Sequence, residues 1–388
     1  MTGHAIYVCT DSGVPAFGRK GCSVHVQAVL GELARRVERV DLVTARAGGQ
    51  APDGLGDVHV HEIGRPRALD AAATERAVVV NDALAAKTVG DLLSRHFDGD
   101  SPSLVFQRYS LWSCEVMELA RAQGALGVLE LNSPLIDEQA RHRQLIDRAT
   151  ATARTRRAVR AADRPYAVSA AVAAWATDLA GVHVDVIPNG VDPKRFGAPL
   201  PAPAGRPFTI AFVGTFRPWH GLEELTSAAL RLAATGRSAR LLLIGDGPER
   251  DAMIGRARCA GLDVEAVGAV DPAAVPALLA GADAAVAPYP AGEQYFSPLK
   301  VVEYLAAGLP TVAAAVGDLA ELFDDGRELL LVPPGDDDAL ARALIRLHDD
   351  PPLRSVLARG GRAAAVERCS WRGVVERVLA PTDRRWAA

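Results

Sequence analysis

The densest chemistry in the sequence lies between Tyr295 and Pro310. Ser297 suits a helix N-cap and Pro298 the first helical position, while Gly308 ends the helix and Pro310 forbids its continuation. The free N–H groups of residues 298–300 would join the Lys300 ammonium in a cradle for an anion. Glu303 lies three residues on, on the same face. Its carboxylate can accept two hydrogen bonds from a vicinal diol such as a ribose. An exposed Lys–Glu pair on an ordinary helix would show the same spacing. Segment 214–221 offers a second anion group: Gly214, Arg217, Trp219 and His220 fall between an apolar run and the next helical pattern. Gly245 opens the turn Gly245-Asp246-Gly247-Pro248. Near the N-terminus Gly13, Gly18 and Gly21 punctuate another loop before a helix, where the backbone at Gly21 can approach a ligand. Their spacing is not G-x-G-x-x-G, so no dinucleotide fingerprint is present.

These groups need elements to carry them. His4–Cys9 reads as a strand, 13–21 as a loop, and 23–36 as a helix capped by Ser23, with Val26, Val29, Leu30 and Leu33 at helical spacing. His25 lies on that helix, where packing or capping is its expected role. A strand at 40–45 completes a βαβ unit. Further strands are expected at 104–107, 127–131 and 166–168, with Arg108 and Glu130 near strand ends, and a long helix at 137–162. The run 154–160 is rich in arginine and reads as a solvated face, with a membrane headgroup or anionic acceptor as the lesser alternative. Residues 186–207 hold the densest Pro/Gly stretch of the chain and read as a stiff linker. The βαβ pattern then restarts, with strands at Phe208–Val213, 241–244, Ala284–Ala287 and 311–313 and helices at Leu222–Ala234, 297–307 and 336–348.

The chain has 388 residues, two domains at roughly 150 each. The 43 Lys and Arg against 47 Asp and Glu give a net charge of −4, which argues against a nucleic-acid binder and a polybasic membrane anchor. Only Lys20, Lys87, Lys194 and Lys300 of those cations are lysines, so each lysine stands out in an arginine-dominated chain. Five scattered cysteines, odd in number and without CxxC, indicate neither a disulfide framework nor a zinc site, and are expected reduced and buried. No signal-peptide pattern or spanning apolar run is read, so the expected location is cytoplasmic.

With these motifs in order, the sequence resembles the retaining GT-B glycosyltransferases of the family 4 type. Segment 295–310 resembles their nucleotide-sugar signature. The early Gly-rich loop with 23–26, then 128–134, 186–192, 244–248 and the C-terminal 371–379 match the other landmarks. The resemblance implies an α/β fold of two facing Rossmann-like domains. The acceptor domain spans 1–190, the linker 191–207 and the nucleotide-sugar domain 208–368, and 369–388 returns to the first domain as a helix. It implies hexosyl transfer, with retention, from a nucleoside-diphosphate sugar, GDP and UDP being the expected bases, to a small-molecule, natural-product or glycan acceptor. No metal and no cofactor beyond the donor co-substrate are implied. Catalysis is expected from Arg217, Lys300, Glu303 and Asn132. Donor contacts are expected from Gly21, Gly214, His220, Gly245, Ser297, Pro298, Leu299 and Tyr295, and acceptor contacts from Arg108, Glu130 and His25. The family carries two glutamates eight apart; here Glu303 matches the second, Tyr295 stands at the first, and Glu293 lies two residues away. Two alternatives share the donor site: a nucleotide-sugar epimerase, with Asp11 and Glu130 as the nearest acid–base groups, and a non-catalytic nucleotide-sugar binder.

Overall fold

The computed structural model describes residues 3–65, 70–96, 103–197, 205–292, 294, 295 and 297–380. Two compact units result. The first takes the described residues of Met1–Asn189, Tyr295–Ser297 and Trp371–Ala388; the second takes those of Gly190–Gln294 and Pro298–Ser370.

The first unit is a seven-stranded parallel sheet. Its strands are β1 (His4–Cys9), β2 (Arg39–Thr44), β3 (His59–Glu62), β4 (Leu104–Arg108), β5 (Leu126–Leu131), β6 (Arg164–Ala167) and β7 (Asp185–Val186), in the order β3-β2-β1-β4-β5-β6-β7. Buried on both faces, β1 and β5 read as continuous apolar runs, as parallel strands do. β3 is a mostly exposed edge with the sequence HVHE, and the sequence pattern gave no strand there. The helix Trp371–Leu379 packs on the helix Gly21–Ala34, with the Trp371 and His25 rings 4.7 Å apart. Arg164 donates to the Val378 carbonyl at 2.8 Å.

Four expectations here need correction. The helix read at 137–162 is two, Leu135–His142 and Arg148–Ala161. The break is held open by Glu75, whose carboxylate accepts the N–H groups of Ile146 and Asp147, and Asp147 then caps the second helix through Thr150. Ser23 is not a cap: the helix starts at Gly21, and the Ser23 hydroxyl donates to the Pro15 carbonyl at 2.6 Å. The arginine run is not wholly solvated, because buried Arg154 pairs with Asp82 at 2.8 Å and Glu115 at 3.0 Å. Nor are all the thiols buried: Cys9 and Cys114 are, Cys22 and Cys369 are half-buried, and Cys259 is exposed.

The second unit is a six-stranded parallel sheet of β8 (Phe208–Val213), β9 (Ala239–Ile244), β10 (Asp263–Gly268), β11 (Ala284–Ala287), β12 (Thr311–Ala314) and β13 (Leu330–Val332). Its order is β10-β9-β8-β11-β12-β13. The chain winds outward from β8 to β10, then crosses to the other side of β8 to place β11. In such sheets the carboxyl ends flanking that reversal are where ligands bind. The first sheet reverses likewise between β1 and β4. Of the Pro-rich stretch, 198–204 lies outside the described residues, and Pro193–Arg195 forms a single 3-10 turn in the second unit. Among the described residues no helix is long and apolar enough to cross a membrane.

Candidate active site

At the reversal of the second sheet, three loops pack backbone against backbone. Gly221, at φ +71°, leaves no room for a side chain: a Cβ would stand 1.3 Å from the Pro288 carbonyl. Gly245, at φ +122°, would place one 1.9 Å from the Gly214 carbonyl, and its N–H donates to Gly268 at 2.8 Å. Phe216 is fully buried at φ +43°, a conformation that a bulky side chain adopts only when packing enforces it. Segment 214–221 is therefore held in one shape.

The helix Leu299–Ala306 is fastened to this loop. The hydroxyl of buried Tyr304 accepts the Val213 N–H at 2.7 Å, at the end of β8. Lys300 is one turn earlier on the same face, so it too is directed at β8. Its Nζ is buried without a hydrogen-bond partner among the described residues, 4.4 Å from the Phe212 ring centroid and 5.3 Å from that of Tyr289. Burial pushes its pKa down to about 7, with Glu303 pulling weakly the other way. His220 closes the 3-10 turn Pro218–His220, and its Nδ1 is likewise buried and unpartnered. Burial first, then the Lys300 and Arg217 charges, bring His220 down to about 3. The imidazole is thus neutral at pH 7 and can offer a hydrogen bond without a charge. Arg217 is exposed beside the Trp219 ring, 5.8 Å from its centroid. Among the described residues, two orphaned buried nitrogens beside an exposed cation and a helix start make a site suited to an anion.

Ser297 does not cap this helix. The N-cap position is Pro298, with no side-chain cap bond, and the helix begins at Leu299. The Ser297 hydroxyl instead accepts the Asn189 N–H at 3.1 Å, and its carbonyl accepts the Asn189 amide at 3.0 Å. Pro298 has no N–H, so the cradle's backbone donors are Leu299 and Lys300. Tyr295 belongs to the first unit: its hydroxyl donates to Glu138 at 3.3 Å and its carbonyl accepts from Ser169 at 2.5 Å. Glu293 lies outside the described residues. Glu303 does not pair with Lys300 but faces Arg195 at 3.5 Å. Arg195, Tyr304, Phe212 and Tyr289 carry no sequence signal of this role, except that Tyr304 shares the face of Lys300 by its spacing of four.

In the first unit the ends of β4 and β5 hold a buried polar cluster. Glu130 accepts from His25 at 2.7 Å, from the Asn132 amide at 3.0 Å and from the Tyr166 hydroxyl, and faces Arg108 at 3.5 Å. Burial raises the carboxyl pKa, but the charge and hydrogen bond of His25, Arg108 and Tyr166 outweigh it and hold it at about 2. A carboxylate so fixed is an anion at every working pH and a poor proton shuttle. Asp11 accepts the Gly13 N–H at 2.7 Å within its own turn. The acid–base pair an epimerase would require is therefore not offered by these two. Asn132, its amide N–H spent on Glu130, keeps Oδ1 as an acceptor. Gly21 opens the helix Gly21–Ala34 after Lys20, with no side-chain cap. Among the described residues no group of three or more His, Cys, Asp or Glu is placed to hold a metal ion.

Comparison with known proteins agrees with this geometry. Residues 19–195 match the family described as Glycosyltransferase Family 4, and residues 207–350 match Glycosyl transferases group 1. The chain is 32% identical over 219 residues to phosphatidyl-myo-inositol mannosyltransferase of Mycobacterium leprae, covering 55% of this chain and 57% of that one. It is 33% identical over 195 residues to 2-deoxystreptamine glucosyltransferase of Streptomyces kanamyceticus, covering 46% and 49%. The chain thus spans about half the length of the curated relatives it matches. Among solved structures, sucrose-phosphate synthase from Thermosynechococcus elongatus superposes with a TM-score of 0.72 at 21% identity, covering 96% of this chain and 97% of that one. Anabaena HepE in complex with UDP and glucose gives 0.70 at 18% identity, with 96% and 97% covered. At such identities the likeness is one of fold.

Proposed function

We propose that this chain, which belongs to the GT-B glycosyltransferases of the family 4 type, moves a hexose from a nucleoside-diphosphate sugar to a small-molecule, natural-product or glycan acceptor, with retention and without a metal ion. The observation that carries the reading is the Lys300 ammonium, buried without a hydrogen-bond partner among the described residues beside the orphaned His220 nitrogen at the start of a helix. A diphosphate satisfies all three. As the anomeric C–O bond breaks, negative charge gathers on the leaving diphosphate while the sugar becomes oxocarbenium-like. Lys300, Arg217, the neutral His220 and the N–H groups of Leu299 and Lys300 are fixed donors that meet that charge, so they stabilise the transition state more than the ground state. These cations supply the charge compensation that a divalent ion would otherwise provide. Gly214 and Gly245 permit the close approach of the loops that frame the donor. Glu303 takes the ribose hydroxyls.

We assign donor recognition to the second unit and acceptor recognition to the first, where Asn132 Oδ1, set by Glu130 and backed by His25 and Arg108, is an acceptor for a substrate hydroxyl. UDP and GDP are the donor bases we favour; HepE is a UDP-bound neighbour, and the relatives above are a mannosyl- and a glucosyltransferase. The test is incubation of the protein with UDP-glucose or GDP-mannose and an acceptor panel that includes phosphatidyl-myo-inositol, 2-deoxystreptamine and glucose. Release of nucleoside diphosphate with an α-linked product supports the reading. Conversion of the donor sugar without acceptor would indicate an epimerase, and donor binding with no diphosphate release a non-catalytic binder.

A further inference from the structure

Glu303 owes its setting to a residue from outside its own helix. Arg195 approaches it from the 3-10 turn Pro193–Arg195, Nη1 standing 3.5 Å from Oε1. The other arm, Nη2, donates to the Pro272 carbonyl at 2.7 Å, in the loop that follows β10. The turn itself cannot drift from the helix. Arg362 donates at once to the carbonyls of Phe196, Gly197 and Ala306, so one guanidinium clips the residues after Arg195 to the end of the helix bearing Glu303. Phe196 is buried, which fixes the turn from below. Arg195 is therefore a pre-set fork with one prong on a backbone carbonyl and the other on the carboxylate.

The contact is long and single. It touches one oxygen, and the Glu303 carboxylate has no other hydrogen-bond partner among the described residues. The strongest Arg–carboxylate pairs are short and bidentate. This one leaves carboxylate lone pairs open while opposing the carboxylate's rotation. We infer that Arg195 is a positioning residue of the donor site, holding the Glu303 carboxylate in the orientation that accepts both hydroxyls of a ribose. The inference rests on the reading of Glu303 as the ribose acceptor. Burial raises the Glu303 pKa and Arg195 is the foremost group lowering it, so Arg195 also favours the ionised form that a diol requires.

The experiment measures calorimetric affinity for UDP and GDP and for their 2′,3′-dideoxy counterparts, with wild type, Arg195→Ala, Arg195→Lys and Glu303→Gln. Wild type should prefer the better ribonucleotide over its dideoxy form by on the order of tenfold or more, the scale of hydrogen bonds to a charged group. Glu303→Gln should lose most of that preference. Arg195→Ala should bring it below about threefold, with dideoxy affinity changed less than about threefold, and Arg195→Lys should restore part of it. If wild type binds neither nucleotide, or does not distinguish ribo from dideoxy, the reading of Glu303 fails and the inference falls with it. If wild type and Arg195→Ala distinguish them equally, or Arg195→Ala weakens both forms alike, Glu303 stands and the role given to Arg195 is wrong. Should Arg195→Ala misfold, Arg195→Lys decides by the same ratio.

Discussion

Replacing Lys300 by methionine should make the free protein more stable and the enzyme far worse. The ammonium sits in a buried site with two ring faces and, among the described residues, no hydrogen-bond acceptor. Its pKa falls from an ordinary 10.5 to about 7, which at about 1.4 kcal/mol per tenfold amounts to roughly 5 kcal/mol. The folded form binds fewer protons than the unfolded chain between those two values, so stability from this group rises as pH goes from 7 to 10.5. Below pH 7 the cost is present in full. Urea denaturation at pH 7 should therefore find Lys300→Met more stable by a few kcal/mol, and the gap should close toward pH 10. A bound diphosphate reverses the account by raising the lysine pKa. Wild-type affinity for UDP-glucose or GDP-mannose should be flat below pH 7 and fall above it by up to tenfold per pH unit. Lys300→Met should be flat across that window and lose on the order of 10²–10³ in kcat/KM, comparable to removing one preorganised donor. A Met variant that is less stable than wild type at pH 7, with donor affinity and kcat/KM within threefold, would show that Lys300 is neither a destabilising buried charge nor a diphosphate donor.

Sugar transfer should survive excess EDTA; loss of activity restored by Mg²⁺ or Mn²⁺ would show that Lys300, Arg217 and the helix start are not sufficient. Gly221→Ala forces a Cβ to 1.3 Å from the Pro288 carbonyl in a left-handed conformation, and should cost more than about 2 kcal/mol and abolish nucleotide-induced thermal stabilisation, as read by melting with and without UDP and GDP. Glu130→Gln leaves Arg108 without its counter-charge and should destabilise the first unit by about 3–5 kcal/mol in denaturant titration. Because the folded-state pKa of Glu130 is depressed to about 2, its contribution should be complete above about pH 4.5 and fade as pH falls toward 2, a slope absent from the variant.

The alternation of apolar runs with helical patterns was enough to read two parallel-sheet domains, because strands buried on both faces must be continuously apolar and helices must carry a stripe. Where an element escapes that rule it was illegible: β3 is a polar edge strand, and the break at 143–147 comes from Glu75, some seventy residues away. The position of Lys300 in a helix start was likewise legible, since Pro298 and Gly308 bound the helix locally. Its burial was not. A lysine three residues before a glutamate has the spacing of a solvated pair, and only the packing of Phe212 and Tyr289 around its Nζ turns it into an orphaned charge. The same holds for Ser297, diverted from its cap by Asn189, and for Glu303, whose partner Arg195 lies more than a hundred residues away. Sequence fixes what each side chain is able to donate or accept. Which groups are deprived of water, and so have their pKa values moved and their hydrogen bonds left open for a substrate, depends on contacts between segments distant in the chain, and these exist only in the folded structure.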